Sequence, residues 1–197
     1  MNILVTGGAG YIGSMLVRQL LSNGHRVRVV DLLHSGGESI IDLLDSDAFE
    51  FTRADVRDEE AMQEAVEGMD AVVHLAAIVG DPACAAAPEV AKSVNRDASK
   101  QLYQIANENG VGQFVFASTC SNYGKMGDED FLDEESPLRP VSLYAETKVD
   151  VEEYLLEQPE DNTCKPTSLR FATVYGLSPR VRFDLTVNQF TKELALG

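Results

Sequence analysis

The chain opens with an apolar run, Asn2-Ile3-Leu4-Val5-Thr6, that leads into Gly7-Gly8-Ala9-Gly10-Tyr11-Ile12-Gly13 and then into a helical pattern from Tyr11 to Leu21. Strand, glycine turn and helix in that order constrain the fold more than any other feature. Without side chains at Gly7, Gly10 and Gly13 the backbone can approach a ligand closely. The helix that starts there offers unpaired N–H groups and the positive end of its dipole to a phosphate. A second apolar run, Arg26 to Val30, ends at Asp31, 18 residues beyond Gly13. A carboxylate at that offset can accept both hydroxyls of an adenosine ribose, which marks a dinucleotide-binding unit. It would also repel the extra phosphate of NADP, and Leu32-Leu33-His34-Ser35-Gly36-Gly37 brings no arginine to receive it. The expected cofactor is therefore NAD.

Apolar runs near 2–6, 26–30, 49–53, 70–75, 113–118 and 167–171 alternate with helical patterns near 11–22, 58–67, 88–109 and 142–157, with a weaker helical stretch near 39–45. Such alternation predicts an α/β fold, a doubly wound parallel sheet covered on both faces. At 197 residues and 44% hydrophobic, the chain is long enough for a substantial core. A net charge of −16, from 16 Lys and Arg against 32 Asp and Glu, argues against a nucleic-acid partner, whose phosphates need clustered cations. Nucleotide phosphates would then fall to backbone N–H groups.

No apolar run approaches the ~18 residues needed to cross a bilayer, and the amino terminus starts a strand without the pattern of a secretory leader. Neither membrane nor export is expected. Cys84, Cys120 and Cys164 are odd in number, widely spaced and without a metal pattern, which suggests a reducing cytoplasm. His25, His34 and His74 lie far apart and read as structural or exposed residues, so no metal is expected. The acidic stretch from Asp128-Glu129-Asp130 through Asp133-Glu134-Glu135 reads as a solvated loop.

Two segments carry chemistry. Tyr144-Ala145-Glu146-Thr147-Lys148 lies on a predicted helix, where residues four apart share one face. A free phenol titrates near 10, so a base useful near neutrality needs a shift of roughly 3 units, or about 4 kcal/mol. An adjacent ammonium and a positive nicotinamide ring could supply it. In Phe116-Ala117-Ser118-Thr119-Cys120-Ser121-Asn122 an apolar strand releases into a hydroxyl-rich turn. Strand ends of this kind are where open parallel sheets bind ligands, and a hydroxyl there can relay a proton between phenol and substrate.

Together these motifs resemble the extended short-chain dehydrogenase/reductases of the NAD-dependent sugar-nucleotide epimerase/dehydratase family, of which the UDP-galactose 4-epimerase group is a branch. The spacing Gly7-x-x-Gly10-x-x-Gly13 is similar to the version those enzymes use. The resemblance implies a Rossmann fold, a nucleotide-sugar substrate and epimerisation through a transient keto intermediate. It places Thr119 as the catalytic hydroxyl with Ser118 beside it, Tyr144 as the acid/base, and Lys148 as the residue that holds Tyr144 and the nicotinamide ribose. It also implies that Tyr11 and Ile12 follow the pyrophosphate, Asp31 and Leu32 frame the ribose, and Asp55 and Val56 bracket the adenine. Leu75, Ala76 and Ala77 would line the cofactor, with Asn95 bracing that region. Asp55 reads alternatively as a helix N-cap.

Departures from the family pattern matter too. Cys120-Ser121 stands where 4,6-dehydratases of this family carry an Asp-Glu pair, which favours epimerisation over dehydration. A reductase or dehydrogenase, or a dinucleotide-binding module without turnover, are the rivals. Thr173 replaces an asparagine near the substrate diphosphate, and Asn188 could contact that diphosphate or brace a helix. Residues 1–176 read as the NAD-binding domain with the catalytic groups, and 177–197 as the start of a substrate region that relatives carry further. A homodimer through the helices near 88–109 and 142–157 is a family expectation.

Overall fold

The computed structural model describes residues 1–125 and 131–197, so Asp128, Glu129 and Asp130 of the acidic stretch lie outside the described residues. Six strands, β1 (Asn2–Thr6), β2 (Arg26–Asp31), β3 (Phe49–Arg53), β4 (Ala71–His74), β5 (Gln113–Thr119) and β6 (Lys165–Phe171), pair in the order β3-β2-β1-β4-β5-β6. Every pairing is parallel. The order reverses between β1 and β4, and such a switch point opens a crevice at the carboxyl ends of the strands.

Parallel strands need crossovers, and the helices supply them: α1 (Tyr11–Ser22), α2 (Glu59–Val66), α3 (Asp81–Ala86), α4 (Pro88–Lys92), α5 (Ala98–Glu108), α6 (Leu143–Leu156) and α7 (Thr186–Leu196). On one face Leu4, Val30, Val72, Phe114 and Phe116 pack against Met62 and Val66 of α2, Leu102 and Ala106 of α5, and Val151 and Leu155 of α6. On the other, Ile3, Val5, Val27 and Val29 meet Val17 of α1 and Ile40 and Leu43 of a 3₁₀ segment. Beside α1 this second face is open over β4 to β6, where Val73, Val115, Ala117, Leu169 and Phe171 line a groove of about 440 Å³.

Several expected boundaries move for identifiable reasons. The stretch near 39–45 is 3₁₀ over Glu38–Leu43. The helix expected over 88–109 is broken: α4 passes into a π-helical segment, Ser93–Asp97, before α5 begins. That extra residue in the turn swings Asn95 inward, where it is fully buried. The residue that caps α2 is Asp58, which accepts from Ala61 N at 3.2 Å, so the N-cap reading of Asp55 is set aside. Helices α3 and α7 were not legible from periodicity.

His74, at the end of β4, is fully buried and structural. Ser99 Oγ donates to Asn95 O at 2.7 Å, so it can only accept from His74 Nε2 at 2.9 Å. His74 Nδ1 is then the acceptor of the Thr6 hydroxyl at 2.6 Å, and Thr6 Oγ1 accepts in turn from Ala76 N at 3.4 Å. One neutral imidazole thus joins β1, β4, the loop after β4 and the π segment. Burial, with the Lys148 charge second, pushes its pKa down to about 3. Because the folded value is depressed, the stabilisation is complete above the ordinary value of about 6.5 and is lost as pH falls toward 3. Between pH 6.5 and 5 the loss is expected to be about 1.6 kcal/mol. Urea titrations at the two pH values check this, and His74→Gln, which cannot gain a proton, should flatten the difference.

Candidate active site

The glycine turn is built by close contact. Gly7 has φ +73°, and a Cβ there would lie 2.8 Å from Ala76 N across the switch point. A Cβ at Gly13 would meet Gly7 O at 2.2 Å, so helix α1 starts directly against the turn. At Gly10 a Cβ would meet only Gly7 O, at 3.1 Å. No side chain caps α1. Its first-turn N–H groups, including those of Tyr11 and Ile12, are therefore available to an anion, as a pyrophosphate requires.

Asp31 locks this turn to β2. One carboxylate oxygen accepts from Ala9 N at 3.0 Å and the other from Leu33 N at 2.8 Å. The second bond holds Leu33 at φ 58°, a conformation that L residues seldom adopt. Each oxygen keeps a lone pair for a ribose hydroxyl. Leu32 beside it is 46% exposed and can lie against a ligand. Asp55 is bound to Arg57 at 2.6 Å, and that hydrogen bond holds its carboxyl below the ordinary range. Val56 is buried in the core, so only its backbone can reach a ligand. Leu75, Ala76 and Ala77 follow β4 on the far side of the crevice, where Leu75 N donates to Thr6 O at 3.1 Å. Asn95 braces the end of that loop: its Oδ1 accepts from Ile78 N at 2.8 Å and its Nδ2 donates to Ile78 O at 2.9 Å.

Tyr144 and Lys148 stand one turn apart on α6, which Ser142 caps by accepting from Ala145 N at 3.3 Å. Thr119 ends β5, and its Oγ1 accepts from Ser121 N at 3.1 Å to start the turn Cys120–Tyr123. Lys148 is 2% exposed; its Nζ donates to Ala117 O at 2.9 Å and lies 4.5 Å from the Phe116 ring centroid. Burial pushes the lysine down to about 8. The expected downward shift of Tyr144 is absent: burial first, and the neighbouring Cys84 thiol second, push the phenol up to about 12, against an opposing pull from Arg182. The ammonium is turned toward the β5 carbonyl and sits 5.9 Å from the Tyr144 ring centroid, so it does not offset desolvation of the phenolate.

Two substrate candidates are redirected. Ser118 is 4% exposed, and strand alternation turns it away from Thr119 toward α6, where its hydroxyl donates to Glu152. Asn188 donates its two amide hydrogens to Tyr11 Oη at 3.0 Å and Arg182 O at 2.9 Å and accepts from Gly176 N at 2.9 Å. No N–H is left for a diphosphate, so it braces the 176–188 loop on α1. Tyr11 takes part in that brace, donating its phenol to Gly176 O at 2.6 Å. Cys84, Arg182 and Glu152 were missed. Only Glu152 carried a signal, its i, i+4 spacing from Lys148.

The profile of the NAD dependent epimerase/dehydratase family matches residues 3–195. The chain belongs to that family. Among curated members, it is 33% identical to the UDP-glucose 4-epimerase of Lactobacillus helveticus over 180 residues, 90% of this chain and 53% of the relative. It is 36% identical to the dTDP-glucose 4,6-dehydratase of Streptomyces niveus over 157 residues, 75% of this chain and 46% of the relative. The crystal structure of Thermus thermophilus UDP-glucose 4-epimerase in complex with NAD superposes with a TM-score of 0.81 at 34% identity, covering 89% of this chain and 56% of that one. The chain thus spans about half the length of these relatives. Its six-stranded parallel sheet with helices is a Rossmann-like fold, as in that solved relative. Among the described residues, no helix is long and apolar enough to cross a membrane.

Proposed function

We propose that this chain is the cofactor-binding and catalytic part of an NAD-dependent nucleotide-sugar epimerase. The observation that carries the reading is the placement of Tyr144 and Lys148 on α6 beside the Thr119 end of β5, at the same strand edge as the glycine turn. NAD would lie across the switch point, its pyrophosphate on the N–H groups of Tyr11 and Ile12 past Gly7, Gly10 and Gly13. Asp31 and Leu32 would hold the adenosine ribose, Asp55 and the Val56 backbone the adenine side. Leu75, Ala76 and Ala77 would form the opposite wall, with Asn95 acting through the loop it braces. When bound, the cofactor supplies a hydride acceptor and a fixed positive charge.

Tyr144 takes the proton of a sugar hydroxyl and returns it after the keto intermediate has turned its other face. Thr119 would hydrogen-bond the reacting oxygen, and Lys148 would hold the nicotinamide ribose. The turn Cys120-Ser121 places no carboxylate next to Thr119, which favours epimerisation over loss of water. Residues 1–176 form the NAD-binding domain in this proposal and 177–197 begin the substrate region. A cytoplasmic homodimer through α5 and α6 completes it, supported by the family resemblance and by three free thiols.

A panel of UDP-, GDP-, CDP- and dTDP-sugars incubated with the protein tests the reading. An epimeric product without net change in nicotinamide absorbance is the expected result. Accumulating NADH, or a dehydrated product, would overturn it in favour of a dehydrogenase or a dehydratase.

A further inference from the structure

Glu152 follows Lys148 by one turn on α6 and is 2% exposed. Its carboxylate is fully bound. Arg170 of β6 donates to Oε2 from Nε at 2.9 Å and from Nη2 at 2.7 Å, while Asn122 Nδ2 at 2.8 Å and the Ser118 hydroxyl donate to Oε1. Arg170 donates further to the Tyr123 phenol oxygen at 3.0 Å. Ser118, Asn122 and Tyr123 flank Thr119 in sequence, so a single carboxylate ties the helix of Tyr144 and Lys148 to the strand end of Thr119. Burying an ion pair costs desolvation that the attraction repays only with good geometry, and apolar packing often serves a fold as well. The location of this pair therefore points to more than stability.

We infer that Glu152 is a positioning residue: through Ser118, Asn122 and Arg170 it seats α6 against the Thr119 strand end, and from one helix turn away its charge favours the charged form of the buried Lys148. The inference rests on reading Tyr144 and Lys148 as the reacting pair. Around Lys148 stand Tyr144 and Glu152 on its own helix, His74 on β4 and Cys84 on α3. Burial keeps His74 and Tyr144 neutral at working pH and raises the Cys84 thiol, which leaves Glu152 as the standing negative charge. Among the described residues no carboxylate lies within ion-pair distance of Lys148, so this support acts across the helix turn.

The test reads Lys148 directly in protein labelled with ¹³C-lysine, its signal identified by its absence in Lys148→Arg. Glu152→Gln is expected to lower the Lys148 titration midpoint by roughly one pH unit. That variant leaves Arg170 without a partner and could unfold. Glu152→Gln combined with Arg170→Met leaves no buried orphan charge, and a smaller fall in the same direction is expected there in a folded protein, because the opposing Arg170 charge is removed as well. An unchanged midpoint in the folded double variant would overturn the inference, as would unfolding of the double variant, which would assign the cluster to stability alone. Neither result depends on turnover, so failure here is distinct from failure of the epimerase proposal.

Discussion

Tyr144→Phe is expected to leave NAD binding and the melting temperature unchanged and to slow conversion of a nucleotide sugar by about 100- to 10,000-fold, the usual worth of a positioned acid/base. The substitution removes one oxygen from a half-buried ring and leaves Lys148 bonded to Ala117 O, so the local fold keeps its contacts. The large loss follows from what the phenol does in the loaded site. Pushed up to about 12 by burial, it holds its proton in the ligand-free chain and becomes a base only when a positive charge beside the ring brings that value down. Arg182 opposes that shift, and a positive charge arriving beside the ring would oppose it further. Activity should therefore fall on an acidic limb well below 12, set by the loaded site and absent in Tyr144→Phe. NADH fluorescence titration and product analysis on the same samples check both halves. Retention of conversion within tenfold would remove Tyr144 from the chemistry.

The fold was legible wherever one rule governed a whole segment. The parallel sheet declared itself because β1, buried along both faces, reads as an unbroken apolar run and the later strand patterns alternate with helical ones. The glycine turn did so because steric necessity and phosphate binding select the same residues. Legibility failed where two rules competed. Helical periodicity continues across Ser93–Asp97, so the π insertion that buries Asn95 leaves no mark on the pattern. Ser118 and Thr119 have equivalent hydroxyls, and only strand register decides that one meets Glu152 while the other ends the strand. Nothing in the sequence marks Glu152 and Arg170 as a buried pair, because burial of an ion pair is settled by partners distant in sequence. The Tyr144 shift ran opposite to expectation for a related reason: spacing placed the ammonium on the same helix face but could not show that Ala117 O claims it.

Gly13→Ala and Gly10→Ala should separate folding from binding in the turn. On helix propensity alone the Gly13 change favours α1, by at most about 1 kcal/mol, whereas Gly10 is the extended N-cap of that helix, where alanine serves less well than glycine. At Gly13 that gain is overridden, because a Cβ would stand 2.2 Å from Gly7 O and 2.7 Å from Gly8 Cα, all backbone that cannot rotate away. The turn must open, and its opening disturbs the Ala9 bond to Asp31 and the Gly7 approach to Ala76. Destabilisation of about 1–3 kcal/mol is expected, the usual cost of overpacking, together with loss of measurable NADH binding. At Gly10 the one close atom would be Gly7 O, 3.1 Å away, a milder contact than any at Gly13. The melting temperature of Gly10→Ala should fall less than that of Gly13→Ala while NADH binding weakens at least tenfold, about 1.4 kcal/mol, because the ligand must retreat from the N–H groups it would otherwise touch. Thermal melts paired with NADH titration distinguish the two, and a Gly13→Ala protein as stable as the wild type would sink the steric argument. The contrast matters because it assigns different work to two glycines that the motif treats alike: Gly13 lets the helix meet the turn, and Gly10 lets the cofactor meet the helix.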